Sequence, residues 1–268
     1  VRRARLDAEL VRRGLARSRE QAAELIAAGR VSVHGQVAGK AATAVDPGAP
    51  LLVRDDPTDE GWASRGAHKL IGALDAFPDV RVEGRRCLDA GASTGGFTDV
   101  LLRRGASEVE AVDVGYGLLD WRIRSDDRVH VHERTNVRTL MPETIGGPVD
   151  LVVADLSFIS LSLVLPALTA CTDPDGDLVP MVKPQFEIGK DRLGAGGVVR
   201  DPAHRAETVR GVAATAAGLG WGTAGVVASP LPGPSGNVEF FVHLRRDVPV
   251  DADAVAALVD RAVQEGPA

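Results

Sequence analysis

Hydrophobic and polar positions follow two rhythms along this chain. Near the start, "ARLDAELVRRGLA" carries Leu6, Leu10 and Val11 as a helical stripe, with Gly14 placed to end the helix. "SREQAAELIAAG" predicts a second helix, with Ser18 as N-cap, Gln21 three residues on as in a capping box, and Gly29 at its end. "RVSVHGQVA" alternates around His34-Gly35 and predicts two short strands joined by a turn. The polar, acidic stretch "DDPTDEGWA", residues 55–63, reads as a linker.

Beyond it, apolar runs of strand length alternate with helical stripes. Strands are predicted at 86–90, 108–114, 128–132, 150–156, 177–183, 222–229 and 237–244, and helices at 64–77, 96–104, 161–171 and 202–218. That order predicts an α/β domain with a doubly wound, mainly parallel sheet of seven strands. The last two strands are joined only by "PLPGPSG", too short for a crossover helix, so the last strand is expected to run antiparallel. This is the pattern of the Rossmann-like methyltransferases. The expected division is 1–59 and 60–268.

Composition adds little until charge is placed. The chain has 268 residues, 44% of them hydrophobic, enough for one large domain and a small one. Two cysteines, Cys87 and Cys171, exclude a disulfide framework and predict an intracellular, cytoplasmic protein. No apolar run has the length of a signal peptide or a membrane span. The net charge is −6, yet residues 1 to 40 hold nine Lys and Arg against four Asp and Glu, while the rest hold 22 against 33. A basic head on an acidic body points to phosphate as the head's partner.

In order and in residues (Leu6, Leu10, Gly14, Ser18, Arg19, Ala22, Ile26, Gly29, Val31, Val33, Gly35), the head resembles the S4 RNA-binding domain. The resemblance implies a basic face that docks on structured RNA through shape and phosphate contacts. Arg3, Arg5, Arg17, Arg19 and Arg65 are the expected RNA contacts.

In an open parallel sheet, the ligand lies at the carboxyl ends of the strands, where strand order reverses. "CLDAGASTGGFTDVLL" places Asp89 at such an end, followed by Gly91, Gly95 and Gly96. A dinucleotide fold wants G-x-G-x-x-G for a pyrophosphate; this turn has G-x-x-x-G-G with an acid ahead of it, which suits a ligand bearing an ammonium group. Asp113 ends the next strand, 24 residues on, and is placed to bind both hydroxyls of a ribose. An amino-acid end at the first loop and a ribose at the second describe S-adenosylmethionine. Ala92, Ser93, Val114, Asn136 and Asp155 complete the expected cofactor site.

Four charged residues are expected at the same edge. Asp155 and Lys183 end parallel strands, Glu239 lies near the start of the antiparallel one, and Lys69 sits in the first turns of a helix that begins at that edge. A ribose 2′-hydroxyl is a poor nucleophile until its proton is drawn off, and a lysine of depressed pKa held among acids can accept it. His68 and Cys87 read as structural. No metal site is expected.

"LDAGASTGGF", "DVGYG", "ADLSFIS", "VKPQFE" and "SPLPGPSGNVEF", together with the S4-like head, resemble the TlyA (hemolysin A) family of ribosomal RNA 2′-O-methyltransferases, whose catalytic domain is FtsJ-like. The resemblance covers nearly the whole chain. It implies methylation of cytidine ribose in 23S and, with the basic start "RRARLDAELVRRG" of the longer-headed type, 16S ribosomal RNA. It implies Lys69, Asp155, Lys183 and Glu239 as the catalytic tetrad, S-adenosylmethionine as cofactor, and ribosomal RNA or ribosomal subunits as partner of a monomer. One departure is Glu60-Gly61-Trp62-Ala63, where some members carry Arg-x-Trp-Val. Three rivals remain to be weighed: a membrane-lytic protein, for which no strongly amphipathic cationic helix is present; a non-catalytic RNA-binding module; and a nicotinamide oxidoreductase, disfavoured by the absent G-x-G-x-x-G.

Overall fold

The computed structural model of the chain describes residues 3–16, 19–54 and 61–267. Arg17, expected to contact RNA, the predicted N-cap Ser18 and linker residues 55–60 lie outside them. The chain divides into two compact units, Val1–Ser64 and Arg65–Ala268.

In the first unit, β1 (Ala4–Arg5) leads into α1 (Leu6–Arg12), and α2 (Arg19–Ala27) leads into β2 (Val31–Val33) and β3 (Gln36–Val37); β4 (Ala44–Val45) and β5 (Leu51–Val53) follow. Leu6, Leu10, Ala22, Ile26 and Val31 close a small core. The β2–β3 turn is tight because His34 and Gly35 both take positive φ, 50° and 80°, the mirror-image turn that matches strand twist. Sequence periodicity predicted two helices and one hairpin. The structure adds β5 beside β2 and pairs β1 with β4. Elements of two or three residues in "GKAATAVDPGAPLLV" are too short to show a period.

The second unit runs α3 (Gly66–Ala76), β6 (Arg86–Ala90), α4 (Gly96–Arg103), β7 (Glu108–Val112), α5 (Trp121–Arg124), β8 (Val129–His132), β9 (Val149–Ala154), α6 (Leu165–Cys171), β10 (Thr172–Val182), α7 (Pro184–Glu187), α8 (Pro202–Gly218), β11 (Gly222–Ala228), β12 (Phe240–Arg245) and α9 (Ala252–Glu265). Its seven strands lie in the order β11-β12-β10-β9-β6-β7-β8, and β12 is antiparallel to both neighbours. The fold is therefore α/β, with a mainly parallel sheet. From β6 the chain steps outward to β7 and β8, then returns to the other side of β6 as β9. The reversal of strand order falls between β6 and β9, and any ligand crevice belongs there.

Both faces of the sheet are covered. Phe240 and Val242 join the core shared with α6, α8 and α9, whereas Phe241, one residue out of phase, meets Phe97 of α4 at 6.0 Å between centroids. The α8 boundaries follow from local chemistry, since Asp201 caps the Ala203 N–H and Pro202 occupies the first turn. Several details differ from the expected elements. The helix foreseen at 161–171 is a 3₁₀ turn, Leu161–Leu163, followed by α6, with Pro166 in the first turn of α6. The strand foreseen at 177–183 begins at Thr172, with a register shift before Asp177. Helix α9 was not foreseen, although Asp251 caps it and Val259 and Ala262 give it a buried stripe.

Candidate active site

The turn after β6 is built by close approach. Gly91 has φ 90°, and a Cβ there would stand 2.5 Å from the carbonyl oxygen of Asp155. Only glycine lets the β6 and β9 loops touch. Asp89, one residue before the end of β6, is fully buried. Thr98 of α4 donates to its Oδ2 at 2.7 Å, while Oδ1 has no hydrogen-bond partner among the described residues. Burial pushes the Asp89 carboxyl up to about 7, opposed by the Thr98 hydroxyl and reinforced by the charges of Asp155 and Asp113. A buried carboxyl oxygen left unpaired is costly, and a cationic group brought to it would relieve that cost.

Asp113, just past β7, is held by two main-chain donors: Ser93 N to Oδ2 at 2.8 Å and Gly115 N to Oδ1 at 2.7 Å. Each oxygen retains a lone pair, so the clasped carboxylate presents two fixed acceptors, the requirement for a vicinal diol. Beside it lies a shallow recess lined by Ala92, Ser93, Asp113, Leu118, Leu119 and Val131, among others. Sequence reasoning missed the apolar wall, although "GLLDW" follows the Asp113 loop directly. Val114 and Asn136 do not line the recess. Val114 is exposed, and Asn136 uses Oδ1 to cap the turn Val137–Thr139 through Arg138 N at 3.0 Å. Thr135 N nonetheless donates to the Asp113 carbonyl at 2.9 Å, which keeps the Asn136 segment beside that loop.

The four charged residues expected at this edge form two ion pairs. Lys69, in the first turn and a half of α3, places Nζ 2.6 Å from Glu239 Oε2, with side-chain exposures of 7% and 1%. Lys183, at the end of β10 and N-cap of α7, places Nζ 2.5 Å from Asp155 Oδ1, with exposures of 9% and 24%, and donates to Ser157 Oγ at 3.0 Å. The pairs communicate through Gln185, two residues after Lys183, whose Nε2 donates to Glu239 Oε1 at 3.3 Å. Gly233 makes room for this carboxylate, since a Cβ there would stand 2.6 Å from Glu239 Oε1.

The loops carrying Asp155 and Lys183 are laced along their length. Phe158 meets Phe186 at a tilt with centroids 5.3 Å apart, and Glu187 accepts from Ser160 Oγ at 2.6 Å and Leu161 N at 2.7 Å. Burial raises the Glu187 carboxyl, offset by those two donors. Phe158 is 91% exposed with φ 64°, a left-handed conformation that is unfavourable for a bulky residue. Gln185, Ser157, Glu187 and Gly233 were not singled out from sequence, yet each lies inside "VKPQFE", "ADLSFIS" or "SPLPGPSGNVEF".

On the first unit, Arg3 pairs with Asp46 at 3.2 Å, and Arg5 and Arg19 both reach Asp7. Arg65 lies on the second unit, exposed at the start of α3. Among the described residues, no helix is long and apolar enough to cross a membrane.

Comparison with known proteins bears on both units. Residues 62–246 match the model of the FtsJ-like methyltransferase family, and residues 4–51 match the S4 domain. The chain is 63% identical over 269 residues, covering all of both proteins, to the 16S/23S rRNA (cytidine-2′-O)-methyltransferase TlyA of Mycobacterium tuberculosis. It is 34% identical to Hemolysin A of Brachyspira hyodysenteriae, over 89% of this chain and 98% of that one. A solved structure of a hemolysin-class protein from Streptococcus thermophilus superposes with a TM-score of 0.77 at 37% identity, covering 98% of this chain and 97% of that chain.

Proposed function

The chain belongs to the TlyA branch of the FtsJ-like methyltransferases, with an S4 domain ahead of the catalytic unit, and from that premise we propose that it methylates the 2′-hydroxyl of cytidine in ribosomal RNA. The substrates are 23S and 16S ribosomal RNA, as the name of the mycobacterial relative states for that protein. The cofactor is S-adenosylmethionine, which supplies an electrophilic methyl group on a sulfonium centre.

The residues fit that group. The unpaired Asp89 Oδ1 suits the ammonium of its amino-acid end, the clasped Asp113 suits the ribose diol, and Leu118, Leu119 and Val131 suit the flat base. Lys183, in its neutral form, accepts the proton of the 2′-hydroxyl as that oxygen becomes the nucleophile. Asp155 and Ser157 fix the Lys183 Nζ, so little reorganisation remains when the hydroxyl arrives. Lys69 and Glu239 hold Gln185, and through it the turn that presents Lys183.

The observation that carries this reading is a shared loop. The main chain of Asp155 closes over Gly91 in the cofactor turn, while its side chain holds Lys183 at 2.5 Å. One residue thus sets the distance between the cradle of the methyl donor and the proton acceptor. The test is transfer from methyl-labelled S-adenosylmethionine to ribosomal RNA, followed by nuclease mapping by mass. Label in 2′-O-methylcytidine is expected; label on a base, or none, contradicts the assignment. The membrane-lytic alternative predicts dye leakage from liposomes, and purified protein that leaves them intact removes it.

A further inference from the structure

Two buried carboxylates organise the arginines of the head, and they do so differently. Glu9 accepts from Arg12 Nε at 2.7 Å and from Arg13 Nε at 2.7 Å. Arg13 also donates to the carbonyls of Ala49 and Pro47, at 2.6 and 2.7 Å. Its guanidinium is spent on holding the fold together.

Asp7 is equally buried but gathers exposed partners. It accepts from Ala8 N at 2.8 Å, from Arg5 Nε at 3.1 Å and from the second Arg5 nitrogen at 2.9 Å. Arg19 donates at 2.9 Å to Oδ2, the same oxygen that takes the second Arg5 bond. Both arginine side chains remain more than half exposed, at 52% and 60%. Their other N–H groups meet no further partner among the described residues. Two guanidinium groups brought to one point repel each other unless an anion lies between them. With Asp7 between them, they form a fork of net positive charge whose remaining N–H edges lie on side chains more than half exposed. The ligand class that matches such edges is a phosphate bearing two anionic oxygens, bound in the bidentate manner that guanidinium allows and ammonium does not.

We infer that Asp7 is a positioning residue that sets Arg5 and Arg19 as a phosphate clamp, a site for the backbone of the RNA substrate. The inference rests on the reading of this chain as an enzyme acting on RNA. The low carboxyl pKa of Asp7, held down by the Arg5 hydrogen bonds, keeps the clamp anchored at any physiological pH.

The clamp and simple attraction predict opposite signs for one substitution. Asp7→Asn removes a negative charge from a basic face, so attraction alone predicts tighter RNA binding. Loss of the anchor frees both arginines and predicts weaker binding. The experiment measures binding of the full chain to a large-subunit ribosomal RNA transcript by fluorescence anisotropy at several salt concentrations, with methyl transfer followed in parallel. Asp7→Asn is expected to bind about fivefold more weakly, with the slope of log affinity against log salt reduced by about 1. The double change Arg5→Lys with Arg19→Lys keeps both charges and leaves the buried anion in place. It is expected to weaken binding by a similar factor, because ammonium groups cannot form the fork. Far-ultraviolet circular dichroism and thermal unfolding report whether the head stays folded. If it does, an Asp7→Asn protein that binds as tightly as wild type or tighter overturns the clamp. If Asp7→Asn unfolds, the double lysine variant decides, and unchanged affinity in it overturns the clamp. Wild-type protein that neither binds nor methylates the transcript overturns the functional reading itself, an outcome distinct from either.

Discussion

The site holds two lysine–carboxylate pairs of similar length in different settings. Lys69 and Glu239 are sealed, joined across 170 residues of chain, and tied by Gln185 to the turn that bears Lys183. Lys183 and Asp155 lie on adjacent loops, and Asp155 is 24% exposed beside the cofactor turn. The two lysines are almost equally buried, and the difference lies in their acids, Glu239 at 1% exposure and Asp155 at 24%. A lysine and an acid at a strand edge therefore do not define a role. Access to solvent and the next hydrogen bond do.

The largest expected effect separates the pairs by stability. Glu239→Ala leaves the Lys69 ammonium buried without its anion and should cost about 3–5 kcal/mol of unfolding free energy. Asp155→Ala should cost only about 1–2 kcal/mol, because its side of the pair opens to water and Ser157 still accepts from Lys183. Urea unfolding of both variants measures this. Equal losses would erase the distinction between a sealed and an open pair.

The next effect concerns the cofactor side of the Lys183 pair. Asp113→Ala removes the diol acceptors while leaving both ion pairs untouched. It should weaken S-adenosylmethionine by about 1.5–3 kcal/mol in calorimetry. Unchanged affinity would remove Asp113 from the site.

The smallest effect is a pH dependence. The Asp89 carboxyl has an ordinary value of 3.8 and is pushed up to about 7 in the fold, chiefly by burial. The stability it contributes is therefore fully present below about 4 and is lost as pH rises through about 7. Binding a cationic group requires the ionised form, so cofactor affinity should rise between pH 6 and 8, by up to about tenfold. Asp89→Asn should flatten that rise and also flatten the loss of stability above neutral pH. The same slope in wild type and variant would place the ammonium elsewhere.

The sequence made strand ends legible and pairings illegible. Asp89, Asp113, Asp155 and Lys183 each follow an apolar run that can only be a buried parallel strand, so their common edge follows from direction alone. Glu239 joined that edge because "PLPGPSG" leaves no room for a crossover. Which lysine meets which acid depends on the rotation of α3 about its axis and on the register of β12, and neither is written in local periodicity. The same limit hid the apolar wall of Leu118 and Leu119, which lies in a loop, and Gln185, whose partner is 54 residues away. In the head, the net charge pointed to phosphate. It did not distinguish Arg13, bound to carbonyls, from Arg5 and Arg19, held together on Asp7.

The central claim is that Lys183 takes the proton of the 2′-hydroxyl while the sealed pair only holds it in place. The direct measurement is single-turnover methyl transfer to ribosomal RNA by Lys183→Arg, with cofactor and RNA affinities measured on the same protein. Guanidinium keeps the positive charge and a bond to Asp155 but does not give up its proton. The account predicts affinities close to wild type, with a rate reduced by about 100-fold or more. An arginine variant that methylates at close to the wild-type rate would contradict it, leaving positioning of the hydroxyl as the whole of the catalysis.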